Sequence, residues 1–254
     1  MSPAAKPRRT SPRWGVLLFS LAVVASISYC SHSGGKNDDP VTGQVHLSWP
    51  IPAPEGQVAK DLLAKNFYVV FDGSGSMRDM QCSGNVSKEV AAKSAMLAFM
   101  DKLPKGANLG LLIFDKAGMF ERVPLAPYKR QPFVDALEQS QAGNGTPLGT
   151  SIALGFEKLA AQAGKQLGYG EYHLIVITDG MADNGNNPAE VVQTIAQNTP
   201  VIVHTIGFCI GSDHPLNQPG LVFYREANDP AQLAQGLDEV LAEEKEFKVD
   251  QFKP

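Results

Sequence analysis

The chain has 254 residues and a formal net charge of −4. With 43% hydrophobic and 19% charged residues, it has the composition of a globular protein with room for one sizeable core. The negative charge argues against a protein whose main partner is nucleic acid, because such binding depends on an excess of lysine and arginine.

The first 30 residues are predicted to form a signal peptide or a membrane anchor. Four basic residues precede an apolar run over residues 14–29, which is the pattern of an export signal. The run is somewhat short for a span of about 20 residues, but an uncleaved anchor stays an alternative to cleavage. It ends in Ile27-Ser-Tyr-Cys30, which resembles the lipobox where bacterial lipoproteins are cut and lipidated on cysteine. We therefore expect an exported protein tethered to a membrane, in the bacterial periplasm or at the cell surface.

Residues 31–64 are predicted to be a tether and N-terminal extension. The segment up to about residue 54 is rich in Gly, Ser, Asp, Asn and Pro and has no sustained apolar periodicity. Within it, residues 46–49 are interpreted as a short strand that packs on the domain. At the other end of the chain, residues 244–254 are predicted to be a C-terminal tail.

Between these extensions, strand-like and helix-like segments alternate, which predicts an α/β fold with a mostly parallel sheet and helices on both faces. The segment at 119–123 follows its predecessor after a turn too short for a crossover helix, so it is predicted to be an antiparallel edge strand. The predicted strands span residues 67–71, 109–114, 119–123, 172–178, 201–206 and 222–225, and the predicted helices 86–103, 130–139, 147–163, 188–197 and 230–241.

Three oxygen-rich loops are predicted to meet at the carboxyl edge of this sheet, where ligands bind in open α/β folds. Asp72, Ser74 and Ser76 follow the first strand, Thr146 opens the third helix as its predicted N-cap, and Asp179 ends the fourth strand. Carboxylate and hydroxyl oxygens suit a hard cation such as Mg²⁺. Each of the three loops also has an interpretation as an ordinary turn or helix cap. Three such loops on one edge of the sheet would be a coincidence, which favours a shared site.

The motif Asp72-x-Ser74-x-Ser76, with the distant Thr146 and Asp179, resembles the metal-ion-dependent adhesion site (MIDAS) of von Willebrand factor A-type (VWA) domains. The resemblance covers roughly residues 65–243 and implies a three-layer, Rossmann-like α/β fold. It also implies that Ser74 and Ser76 bind Mg²⁺ directly and Thr146 directly or through water, with Mn²⁺ or Ca²⁺ as alternative ions. The two aspartates would hold coordinated waters and balance the charge. A partner protein's Asp or Glu would then complete the metal shell, so the implied function is non-enzymatic protein binding.

Cys82 and Cys209 remain after the leader is set aside. In an oxidising compartment they are predicted to form a disulfide, which would pin the loop after Ser76 beside the metal site. Two buried free thiols are the alternative.

Two other functions stay open at this point. Ser74, Asp179 and His214 occur in the chain order of an α/β-hydrolase triad, but Asp72 and Ser76 occupy the glycine positions of the nucleophile elbow. A metal-independent structural VWA scaffold is the other alternative, and alanine at Ser74 and Ser76 would then leave partner capture unchanged.

Overall fold

Six β-strands and five α-helices alternate along residues 47–242, the part of the chain that the computed structural model describes. The predicted signal or anchor, Cys30 with its predicted lipidation, and the tail at 244–254 lie outside the described residues. So does the tether, apart from residues 47–64.

The strands form one sheet with the order β3-β2-β1-β4-β5-β6. Every neighbouring pair is parallel except β2 and β3, which are antiparallel. This confirms the predicted α/β fold and the predicted antiparallel edge strand. A turn of only two residues joins β2 to β3, which is too short for the crossover that a parallel pair needs. The strands are β1 (Lys65–Asp72), β2 (Asn108–Asp115), β3 (Gly118–Pro127), β4 (Glu171–Thr178), β5 (Ile202–Phe208) and β6 (Phe223–Ala227).

The helices lie close to their predicted positions, with shifts of a few residues at their ends. A short 3-10 helix over Gly75–Arg78 was not predicted, because a single turn leaves no periodic pattern in the sequence. The α-helices are α1 (Lys88–Met100), α2 (Arg130–Gln139), α3 (Leu148–Lys165), α4 (Pro188–Asn198) and α5 (Pro230–Ala242).

Side chains of β1 alternate between two apolar cores, one on each face of the sheet. Phe67, Val69 and Phe71 pack into the core that contains α1, α2 and α5. Tyr68 and Val70 pack on the opposite face, against α3 and α4. Burial on both faces explains why this strand is continuously apolar in sequence. The packing on both faces also fixes the position of the carboxyl end of β1.

The N-terminal extension packs along α3 without forming the predicted strand in its described residues, 47–49. Trp49 contacts the rings of Phe156 and Tyr172, at centroid distances of 6.0 and 4.8 Å. Further along, the backbone of Ile51 approaches Gly164 so closely that a Cβ there would overlap it. The extension therefore enters the domain along the carboxyl-terminal half of α3, at the end of the sheet opposite Asp72. No helix within residues 47–242 has the length and apolarity needed to cross a membrane.

Candidate functional site

The candidate site lies at the carboxyl ends of β1 and β4, the two central strands. From β1 the chain continues to β2 on one side, while β4 pairs with the other side of β1. The strand order thus reverses between β1 and β4, and such a switch point is where open α/β sheets bind ligands. Asp72 ends β1 and Asp179 follows β4 directly, so the two carboxylates meet across this point.

Asp72 is fully buried and held by two hydrogen bonds. The backbone N–H of Ser74 donates to its Oδ1 at 2.8 Å, and the hydroxyl of Thr178 donates to its Oδ2 at 2.6 Å. Burial raises the pKa of Asp72 from 3.8 to about 6; the hydrogen bond from Thr178 opposes this rise, and the nearby charge of Asp179 adds to it. The ionised form of Asp72 is therefore costly in the protein alone.

The two motif serines connect Asp72 to Asp179. The Oγ atoms of Ser74 and Ser76 are 3.1 Å apart, and the hydroxyl of Ser76 donates to Asp179 Oδ1 at 2.7 Å. Ser74 is 1% exposed and Asp179 is 4% exposed. The short helix over Gly75–Arg78 turns the chain so that both hydroxyls point to the same side.

Thr146 also reaches this cluster, but it does not cap α3 as the sequence predicted. Pro147 occupies the N-cap position and no side chain makes a capping bond, so the interpretation of Thr146 as the N-cap is wrong. The backbone O of Thr146 instead accepts from Leu148 N at 2.8 Å. A Cβ at Gly180 would lie 3.5 Å from Ser76 Oγ and 3.9 Å from Thr146 Oγ1, so both hydroxyls face the same glycine.

Lys88 is a member of the site that sequence reasoning missed. This first residue of α1 is 4% exposed, and its Nζ donates to Asp179 Oδ2 at 2.9 Å. Burial lowers the pKa of Lys88, but the hydrogen bond and charge of Asp179 outweigh that effect, so the net shift is upward. A signal was present in the sequence: a lysine directly after the N-cap Ser87 opposes the helix dipole and needs a local reason.

The residues present fit a hard divalent cation. Two buried carboxylates carry more negative charge than Lys88 alone balances, and the hydroxyls of Ser74, Ser76 and Thr146 converge beside them. Within residues 47–242, no three His, Cys, Asp or Glu side chains group into a metal site of the usual kind. A cation here would therefore depend on hydroxyl ligands.

His214 does not complete a catalytic triad. Leu216 N donates to its Nδ1 at 3.2 Å, so the proton resides on Nε2, which donates to the carbonyl of Gly180 at 3.1 Å. Among the described residues, no hydrogen bond links His214 to Ser74. The role of His214 is to hold the backbone that follows Asp179, which speaks against the hydrolase alternative.

Cys82 and Cys209 are neighbours at the rim of the site and are present as free thiols. Burial and a hydrogen bond with Cys82 raise the pKa of the Cys209 thiol well above its usual value. Both residues have a left-handed backbone, with φ of 58° and 65°. The Cys209 thiol donates to the carbonyl of Gln81, the residue before Cys82, at 3.3 Å. The two cysteines are therefore neighbours, and the disulfide stays a prediction.

Comparison with known proteins identifies the family. The von Willebrand factor type A domain model matches residues 66–242. A relative, the uncharacterized protein YwmD of Bacillus subtilis, is 33% identical in an alignment of 160 residues that covers 56% of this chain and 67% of that protein.

Solved structures share the fold at low sequence identity. The vWF domain of the type V pili tip protein Mfa5 from Porphyromonas gingivalis has a TM-score of 0.58 at 14% identity, over 75% of this chain and 99% of that one. BatB from Bacteroides thetaiotaomicron has a TM-score of 0.54 at 18% identity, over 69% and 98%. Proximal thread matrix protein 1 from the mussel byssus, with a zinc-occupied MIDAS motif, has a TM-score of 0.56 at 17% identity, over 70% and 47%. The family match, the sheet order and these shared folds show that the chain belongs to the von Willebrand factor type A domain family.

Proposed function

We propose that this VWA domain is a non-enzymatic protein-binding module of the cell envelope whose binding depends on a divalent cation. Ser74, Ser76 and Thr146 would hold Mg²⁺, and Asp72 and Asp179 would balance its charge and orient bound water. The observation that carries the proposal is the convergence of three hydroxyls on two buried, mutually repelling carboxylates at the switch point of the sheet. When bound, the cation would attract an acidic side chain of a partner protein, which completes its coordination.

The hydrogen-bond network supports a binding role for these residues. Thr178 and the backbone of Ser74 fix both oxygens of Asp72, so this carboxylate is oriented before any ligand arrives. His214 fixes the Gly180 carbonyl and thereby the loop after Asp179. Such preorganisation lowers the conformational cost of binding an ion and then a partner.

The described part of the N-terminal extension lies away from the candidate site. Residues 49–59 run along the carboxyl-terminal half of α3, away from the candidate site. This placement leaves the site open to a partner, and we propose that residues 1–30 anchor the chain to a membrane, directly or through a lipid on Cys30.

Calorimetric titration of Mg²⁺ and Mn²⁺ into the full chain in mild detergent tests the metal site, and Zn²⁺ belongs in the series because a structural neighbour carries zinc in its MIDAS motif. We expect saturable binding that is lost in the S74A/S76A double variant. The matched control is S94A, which removes a hydroxyl from the middle of α1, away from the site. Binding that survives in S74A/S76A would contradict the ligand assignment.

A second experiment separates the adhesion function from a metal-independent scaffold. Partner capture from envelope extracts is compared for wild type and S74A/S76A, each with Mg²⁺ or with EDTA, while circular dichroism monitors folding. Adhesion predicts that EDTA and the double variant abolish the same captured protein. Equal capture under all conditions by folded protein would favour the scaffold.

A further inference from the structure

We propose that Lys88 is a built-in counter-cation of this site, which lowers its affinity for divalent ions and makes the loaded site require a partner's carboxylate. This inference rests on the proposed function of the same site. Lys88 is buried, and its ammonium group lies 2.9 Å from Asp179 Oδ2, on the carboxylate whose other oxygen accepts from Ser76.

The position of Lys88 is built into the fold. Its side chain is 5% exposed and that of Asp179 is fully buried, so the pair is shielded from solvent. The backbone N–H of Lys88 donates to Asp79 O at 2.9 Å, which fixes the start of α1 over the loop after Ser76. Burying an ammonium group is expensive unless a paired charge compensates it, and here that charge is Asp179.

The buried charges of the site determine its response to a metal ion. Asp72 and Asp179 in their ionised forms together with Lys88 leave one net negative charge. Asp79 also acts on Lys88, but it is exposed and its charge is screened by solvent. A divalent cation turns this into one net positive charge, which a single carboxylate from a partner neutralises. Without Lys88, the same cation would neutralise the two aspartates completely, and the loaded site would have no excess charge for an acidic side chain.

Electrostatic repulsion also acts directly between the two cations. Lys88 and a metal ion bound beside Ser76 would both contact the carboxylate of Asp179. Their positive charges would therefore lie close together, and repulsion between close charges is strong where water is excluded. Lys88 should therefore weaken the binding of the metal alone, and it should strengthen the binding of an anion to the metal-loaded site. Lys88 would thus lower the affinity of the site for the ion and raise the selectivity of the loaded site for an acidic partner.

The test compares wild type, K88M and K88Q as full chains in mild detergent. K88M keeps much of the apolar stem, and K88Q keeps a hydrogen-bond donor, so a fold defect in one leaves the other informative. K93M is the matched control, because Lys93 lies on the same helix but pairs with Glu89 and with Ser140 O. The probes are Mg²⁺ alone by calorimetry, acetate added to Mg²⁺-loaded protein, and thermal unfolding in EDTA and in Mg²⁺.

We expect Mg²⁺ to bind K88M and K88Q about tenfold more tightly, or more, and to bind K93M as it binds wild type. Acetate should increase the apparent Mg²⁺ affinity of wild type and have a smaller effect in the Lys88 variants. In EDTA the unfolding temperature of the variants should fall, because Asp179 loses its counter-charge, and saturating Mg²⁺ should restore it.

The outcomes separate this inference from the proposed function. Magnesium that binds the Lys88 variants alone, and wild type only when acetate is present, would support the counter-cation role and leave the proposed function in place. Magnesium that binds the variants but not wild type, even with acetate, would contradict the required partner carboxylate and the proposed function. Equal affinity in wild type and folded variants would overturn the inference and leave the proposed function in place. Absence of binding by all of these proteins would overturn both.

Discussion

Replacing Asp72 by asparagine should stabilise the protein in EDTA at neutral pH, although it removes a residue proposed to serve metal binding. Asp72 is fully buried next to Asp179, and its pKa is raised from 3.8 to about 6. At pH 7.5 the side chain is ionised and the folded state bears the cost of that charge. An amide of the same shape does not.

The magnitude follows from linkage. A group whose pKa is raised by folding contributes stability that is fully present below its unfolded pKa and is lost as the pH rises through its folded pKa. For Asp72 that window runs from about 4 to about 6. At about 1.4 kcal/mol per pKa unit, the loss at pH 7.5 is about 3 kcal/mol. For a domain of this size, that corresponds to an unfolding temperature raised by roughly 6–12 °C in D72N.

The hydrogen bonds at Asp72 allow the substitution. The asparagine oxygen can accept from the backbone N–H of Ser74, as Asp72 Oδ1 does at 2.8 Å. Its NH₂ group would donate to the hydroxyl of Thr178, which can turn its own proton toward the carbonyl of Gly180, 3.3 Å away. Imperfect geometry in this exchange would reduce the gain, so about 3 kcal/mol is an upper value.

Urea denaturation of wild type and D72N in EDTA at pH 7.5 and pH 4 measures the effect. The difference in unfolding free energy should favour D72N at pH 7.5 and approach zero at pH 4, where Asp72 is largely protonated. Magnesium should stabilise wild type at pH 7.5 and leave D72N nearly unchanged. A difference that is equal at the two pH values, or a D72N variant that is less stable at pH 7.5, would refute the electrostatic account.

Two further predictions concern residues around the site. Burial lowers the pKa of His214, partly opposed by its bond to the backbone of Gly180, so protonation favours unfolding and the free energy of unfolding should fall as the pH drops below about 6.5. Urea denaturation at pH 7.5 and 5.5 should show this loss in the D72N background but not in D72N/H214Q, and an equal loss in both would assign it to other groups. Oxidation by a glutathione redox buffer should join Cys82 and Cys209 with the loss of two protons and two electrons, and by the chain-entropy relation the long loop between them predicts up to about 4–5 kcal/mol of added stability. Mass spectrometry of non-reduced peptides should find the bond, C82S should remove the redox dependence of unfolding, and two free thiols after oxidation would contradict the pairing.

Local patterns in the sequence determined the strands and α-helices of the fold and predicted the five residues of the proposed metal site. Continuously apolar strands such as β1 can only be buried on both faces, and their alternation with helices requires a mostly parallel sheet. The short turn before β3 requires an antiparallel neighbour. The motif from Asp72 to Ser76 lies within one loop, so its oxygen-rich character is visible without knowledge of the fold.

Only the tertiary structure decided which groups act together at the end of the sheet. The position of Lys88 at a helix start gives only a weak signal in sequence, and its pairing with Asp179 depends on where α1 begins relative to the end of β4. Thr146 reads as a helix cap, yet its backbone turns so that Pro147 takes that position and its hydroxyl faces Gly180. Long-range burial and charge fix these contacts, and neither has a periodic signature along the chain. The sequence could therefore predict the proposed ligands but not the ion pair of Lys88 with Asp179.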